Sequence, residues 1–147
     1  MRIYLACTIR GDRSRLAIAR ALGGAIETAG HELLTGRFLD DNAEDADGRL
    51  TAADVFKRDI QWLDDCDALV AEASGSSYGV GFEVGYLLGQ ADRTGKRAIL
   101  LYDVARRDQV SRLISGNVHP NCVTVPYRDA DDATRRLEMI LKDWRSG

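Results

Sequence analysis

Short, nearly unbroken apolar runs alternate along this chain with longer stretches whose apolar residues recur every three to four positions. Ile3–Cys7 is the first run, and its continuity predicts a buried strand. Arg13–Gly30 follows, with Leu16, Ile18, Ala19, Leu22 and Ile26 near the helical period and a glycine to stop it. His31–Leu34 predicts a second, short strand. Residues 36–48 are polar, acidic and without period (Asp40, Asp41, Asn42, Glu44, Asp45, Asp47), which predicts a mobile surface loop. Thr51-Ala-Ala-Asp54 has the spacing of a capping box, and the helix it starts is expected to reach Asp65, with Phe56, Ile60 and Leu63 as its inward stripe. Strands are then expected at Asp67–Ala71, Arg97–Tyr102 and Cys122–Val125, and helices at Val80–Ala91, Asp108–Ser115 and Ala130–Trp144. The last carries the stripe Leu137, Ile140, Leu141 and Trp144.

Strands that alternate with helices and read as apolar runs argue for a parallel sheet covered on both faces. Such sheets take ligands beyond the carboxyl ends of their strands. That directs attention to Thr8–Asp12, the 36–50 segment, Ala73–Gly79 and Asp103–Gln109. The chain's 147 residues predict a single domain, 1–147, able to bury about 68–70% of its unfolded surface. Twenty basic against 23 acidic residues leave a net charge of −3, with no global pull toward nucleic acid or an anionic membrane. Cys7, Cys66 and Cys122 are odd in number and lack metal-ligand spacing, so they are expected as buried thiols in a reducing cytoplasm. No apolar run approaches the ~20 residues a bilayer span requires. No export signal, metal or cofactor is expected.

Chemistry concentrates in residues 71–85, Ala-Glu-Ala-Ser-Gly-Ser-Ser-Tyr-Gly-Val-Gly-Phe-Glu-Val-Gly. A small-residue turn onto a helix N-terminus presents free backbone N–H groups to an anion. The plain alternative is a flexible loop with a serine N-cap. Glu83, four residues after Gly79, would repel a phosphate. Its apolar neighbours Phe82, Val84 and Tyr86 predict burial, and a buried unpaired carboxylate is costly, so a nucleophile or general base is the stronger reading. Thr8-Ile9-Arg10-Gly11, after the first strand, offers a hydroxyl, a guanidinium and a glycine to a phosphate or sugar, or is an ordinary turn with a solvated arginine. On spacing alone, Asp59 reads as a helix-surface acid paired with Arg58 or Lys57, and Tyr4 as a core tyrosine with one satisfied hydroxyl.

Three segments, in order, join these residues. Ile3-Tyr4-Leu5-Ala6-Cys7-Thr8-Ile9-Arg10-Gly11, then Arg58-Asp59-Ile60-Gln61-Trp62-Leu63 with Cys66–Glu72, then Ser77-Tyr78-Gly79-Val80-Gly81-Phe82-Glu83-Val84-Gly85 resemble the nucleoside 2-deoxyribosyltransferase superfamily. Within it they are most similar to the 2′-deoxynucleoside 5′-phosphate N-hydrolases. The likeness spans most of the chain. It implies an α/β fold, a flavodoxin/Rossmann-like three-layer sandwich on a five-stranded parallel sheet of order 2-1-3-4-5. It further implies a homodimer and hydrolysis of the N-glycosidic bond of a nucleoside 5′-monophosphate through a covalent glycosyl-enzyme. By resemblance, Glu83 is the nucleophile, Asp59 the acid that assists the leaving base, and Tyr4 the hydroxyl that orients Glu83. Thr8, Ile9, Arg10 and Gly11 surround the nucleotide, Ser77 and Gly79 hold the phosphate, and Ser111 reaches the site of the neighbouring subunit.

Cleavage of such a bond passes through an oxocarbenium-like state, which suits a carboxylate pair of unequal protonation. Phe82, beside the nucleophile, is a candidate gate for a 2′-hydroxyl. Two other functions compete: a deoxyribosyltransferase with a second base as acceptor, and a non-catalytic nucleotide-sensing module.

Overall fold

The computed structural model describes residues 1–10, 12–75 and 77–146. Five parallel strands form one sheet of order β2-β1-β3-β4-β5: β1 Arg2–Ala6, β2 Glu32–Leu33, β3 Ala68–Glu72, β4 Arg97–Asp103 and β5 Cys122–Tyr127. Between them, in chain order, run the helices α1 Leu16–Thr28, α2 Ala43–Gly48, α3 Ala52–Asp65, α4 Tyr78–Leu88, α5 Ala91–Thr94, α6 Arg112–Ser115 and α7 Ala130–Ser146. This is the doubly wound order expected from the sequence, and the strand order changes direction beside β1 and β3.

The period of two along each strand sorts the core into two layers. Ile3 and Leu5 of β1, Val70 of β3, and Ile99 and Leu101 of β4 pack with Leu22 and Ile26 of α1 and Leu137 and Leu141 of α7. Tyr4, Ala6, Leu69, Ala71, Ala98 and Leu100 face the other way, onto Leu63 of α3 and Val80, Val84 and Leu87 of α4. Tyr4 is therefore on the α3/α4 face because of its parity in β1. A one-residue slip of that strand would carry it to the opposite layer.

Local signals set the element ends. Gly30, at φ +78°, takes the left-handed conformation that stops the chain after α1 and turns it into β2. The capping box of α3 is formed: the Asp54 N–H donates to Thr51 Oγ1 at 3.1 Å, and the Thr51 N–H donates to Asp54 Oδ2 at 3.3 Å. The Val80 N–H donates to the Ser77 hydroxyl at 3.3 Å, which caps α4.

Three expectations need correction. Residues 36–48 are not an unstructured loop: Gly36–Leu39 is a 3-10 turn and Ala43–Gly48 is α2. Their order comes from tertiary contact, since Phe38 and Ala43 are buried in the core and Asp47 is ion-paired to Arg58. Phe56 is not on the inward stripe of α3 but exposed, leaving Leu63 as the one buried residue of that helix. The segment expected as a helix at Asp108–Ser115 is split between a 3-10 turn over Val104–Gln109 and the short α6. Cys7 and Cys66 are buried thiols as expected, and Cys122 is half-buried. No helix among the described residues is long and apolar enough to cross a membrane.

Candidate active site

A cleft of about 480 Å³ opens at the carboxyl end of β1, roofed by the turn into α4 on one side and by α2 and the start of α3 on the other. Leu50, Ala52 and Val55 give it an apolar wall. Ile9 and Arg10 follow β1 into it, and Ser77 and Gly79 border it at the start of α4. Its acidic groups are Glu83, Asp59 and Asp47.

Glu83 lies in the second turn of α4. The Tyr4 hydroxyl, fully buried on β1, donates to Glu83 Oε1 at 2.6 Å. Among the described residues Tyr4 is the sole hydrogen-bond donor to that carboxyl. Burial pushes the Glu83 carboxyl up to about 8, and the nearby charge of Asp59 adds to the rise. The Tyr4 hydrogen bond and Arg58 pull against it. Burial and the negative charge of Glu83 drive the Tyr4 phenol far upward, so it stays a donor at every physiological pH. One oxygen of Glu83 is thus fixed, and the carboxyl borders open space.

Asp59 is half-buried in the middle of α3, about two turns from its start. Arg58 Nε donates to its Oδ1 at 2.7 Å. Burial raises the Asp59 carboxyl and Arg58 opposes that rise. Asp59 is paired with Arg58, as its spacing suggested, but it is half-buried rather than on the helix surface, and it lines the same cleft as Glu83. Arg58 reaches on to Asp47, from Nη1 to Oδ1 at 2.7 Å and Nη2 to Oδ2 at 3.4 Å. Its guanidinium lies over the rings of Phe38 and Trp62, 5.5 and 5.0 Å from their centroids. Phe38 in turn packs edge-on against Tyr4.

The other candidates divide. Ile9, Arg10, Ser77 and Gly79 line the cleft. Gly11 lies outside the described residues. Thr8 is buried and borders a separate small recess with Arg15 and Glu72, next to Gly75. Ser111 is exposed, caps α6 through the Leu113 N–H, and stands outside the cleft of its own chain. Phe82 does not face the cleft. It is 53% exposed, stacked on Tyr86 at 6.2 Å and edge-on to Phe56, so α4 is less buried than its composition suggested. Asp47 escaped the sequence reading, because nothing local separates it from the five other polar and acidic residues around it. Only the distant Arg58 does.

The arrangement places a helix N-terminus and a carboxylate of one helix, α4, in the same cleft. From Gly79 to Glu83 the axis rises about 6 Å, roughly the reach from a 5′-phosphate to an anomeric carbon. First-turn N–H groups of this kind suit an anion, and the Glu83 carboxyl, with one oxygen held, suits attack on an electrophilic carbon once it is ionised.

The sequence profile of the nucleoside 2-deoxyribosyltransferase family matches residues 3–117. A relative from Thermofilum pendens, provisionally named 2′-deoxynucleoside 5′-phosphate N-hydrolase 1, is 41% identical over 141 residues, which cover 96% of this chain and 95% of that one. The 5-hydroxymethyl-dUMP N-hydrolase of Danio rerio is 34% identical over 148 residues, covering 98% and 95%. Among solved structures, the CMP N-glycosidase of Clostridium botulinum superposes with a TM-score of 0.69 over 95% of this chain and 99% of that one, at 21% identity. At that identity the superposition speaks for the fold.

Proposed function

This chain belongs to the nucleoside 2-deoxyribosyltransferase family, and from that premise we propose that it is an N-glycosidase acting on (2′-deoxy)nucleoside 5′-monophosphates. It releases the free base and (deoxy)ribose 5-phosphate. The observation that carries the reading is the Tyr4–Glu83 pair, a carboxyl raised to about 8 with one oxygen held, in a cleft that begins at a helix N-terminus. The named activities of the relatives from Thermofilum pendens and Danio rerio support the substrate class.

In this mechanism the 5′-phosphate sits against Ser77, Gly79 and Arg10, with Thr8, Ile9 and Gly11 shaping the loop around the nucleotide. Glu83, as its carboxylate, attacks the anomeric carbon as the bond to the base nitrogen breaks. Asp59 gives its proton to the departing base. Water then attacks the same carbon, Asp59 takes the water's proton, and the Glu83–sugar bond breaks. The reading needs no cofactor. Residues 1–147 act as a single domain in a homodimer, with Ser111 completing the phosphate site of the neighbouring subunit.

The family's own name favours a second reading, base exchange between nucleosides. One assay separates the two: chromatography of free base after incubation with a panel of deoxy- and ribonucleoside monophosphates and the matching nucleosides. Hydrolysis confined to the monophosphates supports the proposal. Base exchange on unphosphorylated nucleosides supports the transferase. Binding of nucleotides without any release of base contradicts both.

A further inference from the structure

We propose that Asp47 and Arg58 form a positioning device that holds Asp59 by a single oxygen, making α2 a working part of the catalytic unit. The inference rests on the N-glycosidase reading above and adds to it two residues and a segment.

Geometry carries it. The Arg58 guanidinium is a flat fork with five N–H groups, and a carboxylate facing it alone would take two of them in a bidentate pair. Asp59 does not. It receives only Nε, because both terminal nitrogens are turned to Asp47. The ring faces of Phe38 and Trp62 confine the guanidinium plane, and all three polar side chains are largely shielded from water. Asp59 Oδ1 is thereby occupied and Oδ2 left for the proton that must reach the leaving base. Remove Asp47, and the terminal nitrogens of Arg58 have Asp59 as the nearest carboxylate. The pair would close to the bidentate form and take the second oxygen out of use.

Charges of both signs surround Asp59: Arg58 and Arg37 hold its carboxyl down, and Asp47 raises it. Arg58 faces it from α3 itself, Asp47 from α2, Arg37 from the 3-10 turn, Glu83 from α4 and Tyr4 from β1. Loss of Asp47 removes a neighbouring negative charge and frees Arg58, and both changes make Asp59 more acidic. The alkaline limb of turnover, where Asp59 must still carry its proton, then moves to lower pH.

The test compares kcat, KM and the pH profile of base release for wild type, Asp47→Ala, Asp47→Asn and Arg58→Lys, with Asp59→Asn alongside and thermal melts of each. Asp47→Ala is expected to lose about 10- to 100-fold in kcat with KM nearly unchanged, and its alkaline limb shifts downward. Asp47→Asn keeps one acceptor for Arg58 and falls between. Arg58→Lys, which keeps the charge and loses the fork, also falls in kcat. A purely structural role predicts lower melting temperatures with the wild-type kcat and limb per folded molecule, and that result overturns the proposal. Where Asp47→Ala does not fold, a folded Arg58→Lys with wild-type kcat overturns it equally. Failure of the underlying reading looks different: wild type then releases no base at any pH.

Discussion

Among the described residues, two glutamate–tyrosine pairs are buried, one on each face of the sheet. On the α3/α4 face, Tyr4 donates to Glu83 at 2.6 Å. On the α1/α7 face, Tyr127 of β5 donates to Glu72, the last residue of β3, at 2.8 Å. Burial raises both carboxyls above their ordinary range. The difference is in what else each carboxyl meets. Glu72 also accepts from the hydroxyl and the backbone N–H of Ser74, and it borders a recess of about 10 Å³, room for one water. Glu83 has one donor among the described residues and borders a cleft of about 480 Å³. A raised carboxyl is thus not by itself a nucleophile. An oxygen without a donor among the described residues, beside space for a substrate, separates the pair we propose as reactive from the structural one.

The largest expected effect is on turnover. Glu83→Gln should reduce base release on the order of 10³-fold or more, since the proposed nucleophile is lost while its shape is kept. Glu72→Gln should leave kcat within a few fold, and destabilise the fold by about 1–3 kcal/mol, because the new amide places donors against the Ser74 donors. Equal losses of activity in the two variants would erase the distinction.

The tyrosines sharpen it. Tyr4→Phe removes the donor that fixes Glu83 and should lower kcat about 10- to 100-fold, the weight of a hydrogen bond to a charged group. The same hydrogen bond holds the Glu83 carboxyl down, so its loss should move the acid limb of kcat/KM, expected near pH 8 in the wild type, to higher pH. Tyr127→Phe should leave that limb in place and lower the melting temperature by a few degrees.

Stability against pH gives a smaller effect. The folded Glu83 carboxyl titrates near 8 and the unfolded one near 4.5. Between those values the native state holds a proton that the unfolded chain has lost, so this group's contribution is full below the lower value and declines as pH rises through the window. Glu83→Gln should flatten the fall in melting temperature between pH 5 and pH 8 relative to wild type. Smallest of all is Phe82→Leu. Its ring stacks on Tyr86 outside the cleft, so the ratio of deoxyribose to ribose turnover should not move.

The contrast between the two pairs also shows what a sequence can carry. Alternating apolar runs and helical stripes made the two-faced parallel sheet legible, because both cores depend on strand parity and helix period, while the strand order came from the resemblance. Glu83 stood out because a carboxylate among apolar residues, just after a glycine-opened turn, has no cheap structural use. Asp59 did not, since its spacing fits a surface ion pair equally well, and it took the resemblance to place it. The order in residues 36–48 was invisible for a different reason. Phe38 and Asp47 are held by Tyr4, Trp62 and Arg58, contacts remote in sequence that leave no local period. Phe82 misled because an apolar residue beside a buried glutamate on a helix points some 100° away from it.

The most direct test of the account looks for the covalent intermediate. Wild type, Glu83→Gln and Glu72→Gln are incubated with a 2′-fluorinated nucleoside 5′-monophosphate, which slows both steps by destabilising the oxocarbenium-like state, then quenched, digested and weighed by mass spectrometry. The account predicts a sugar-phosphate adduct on the peptide carrying Glu83 in wild type and Glu72→Gln, and none in Glu83→Gln. An adduct on any other residue, or a Glu83→Gln protein that still releases base, would contradict it.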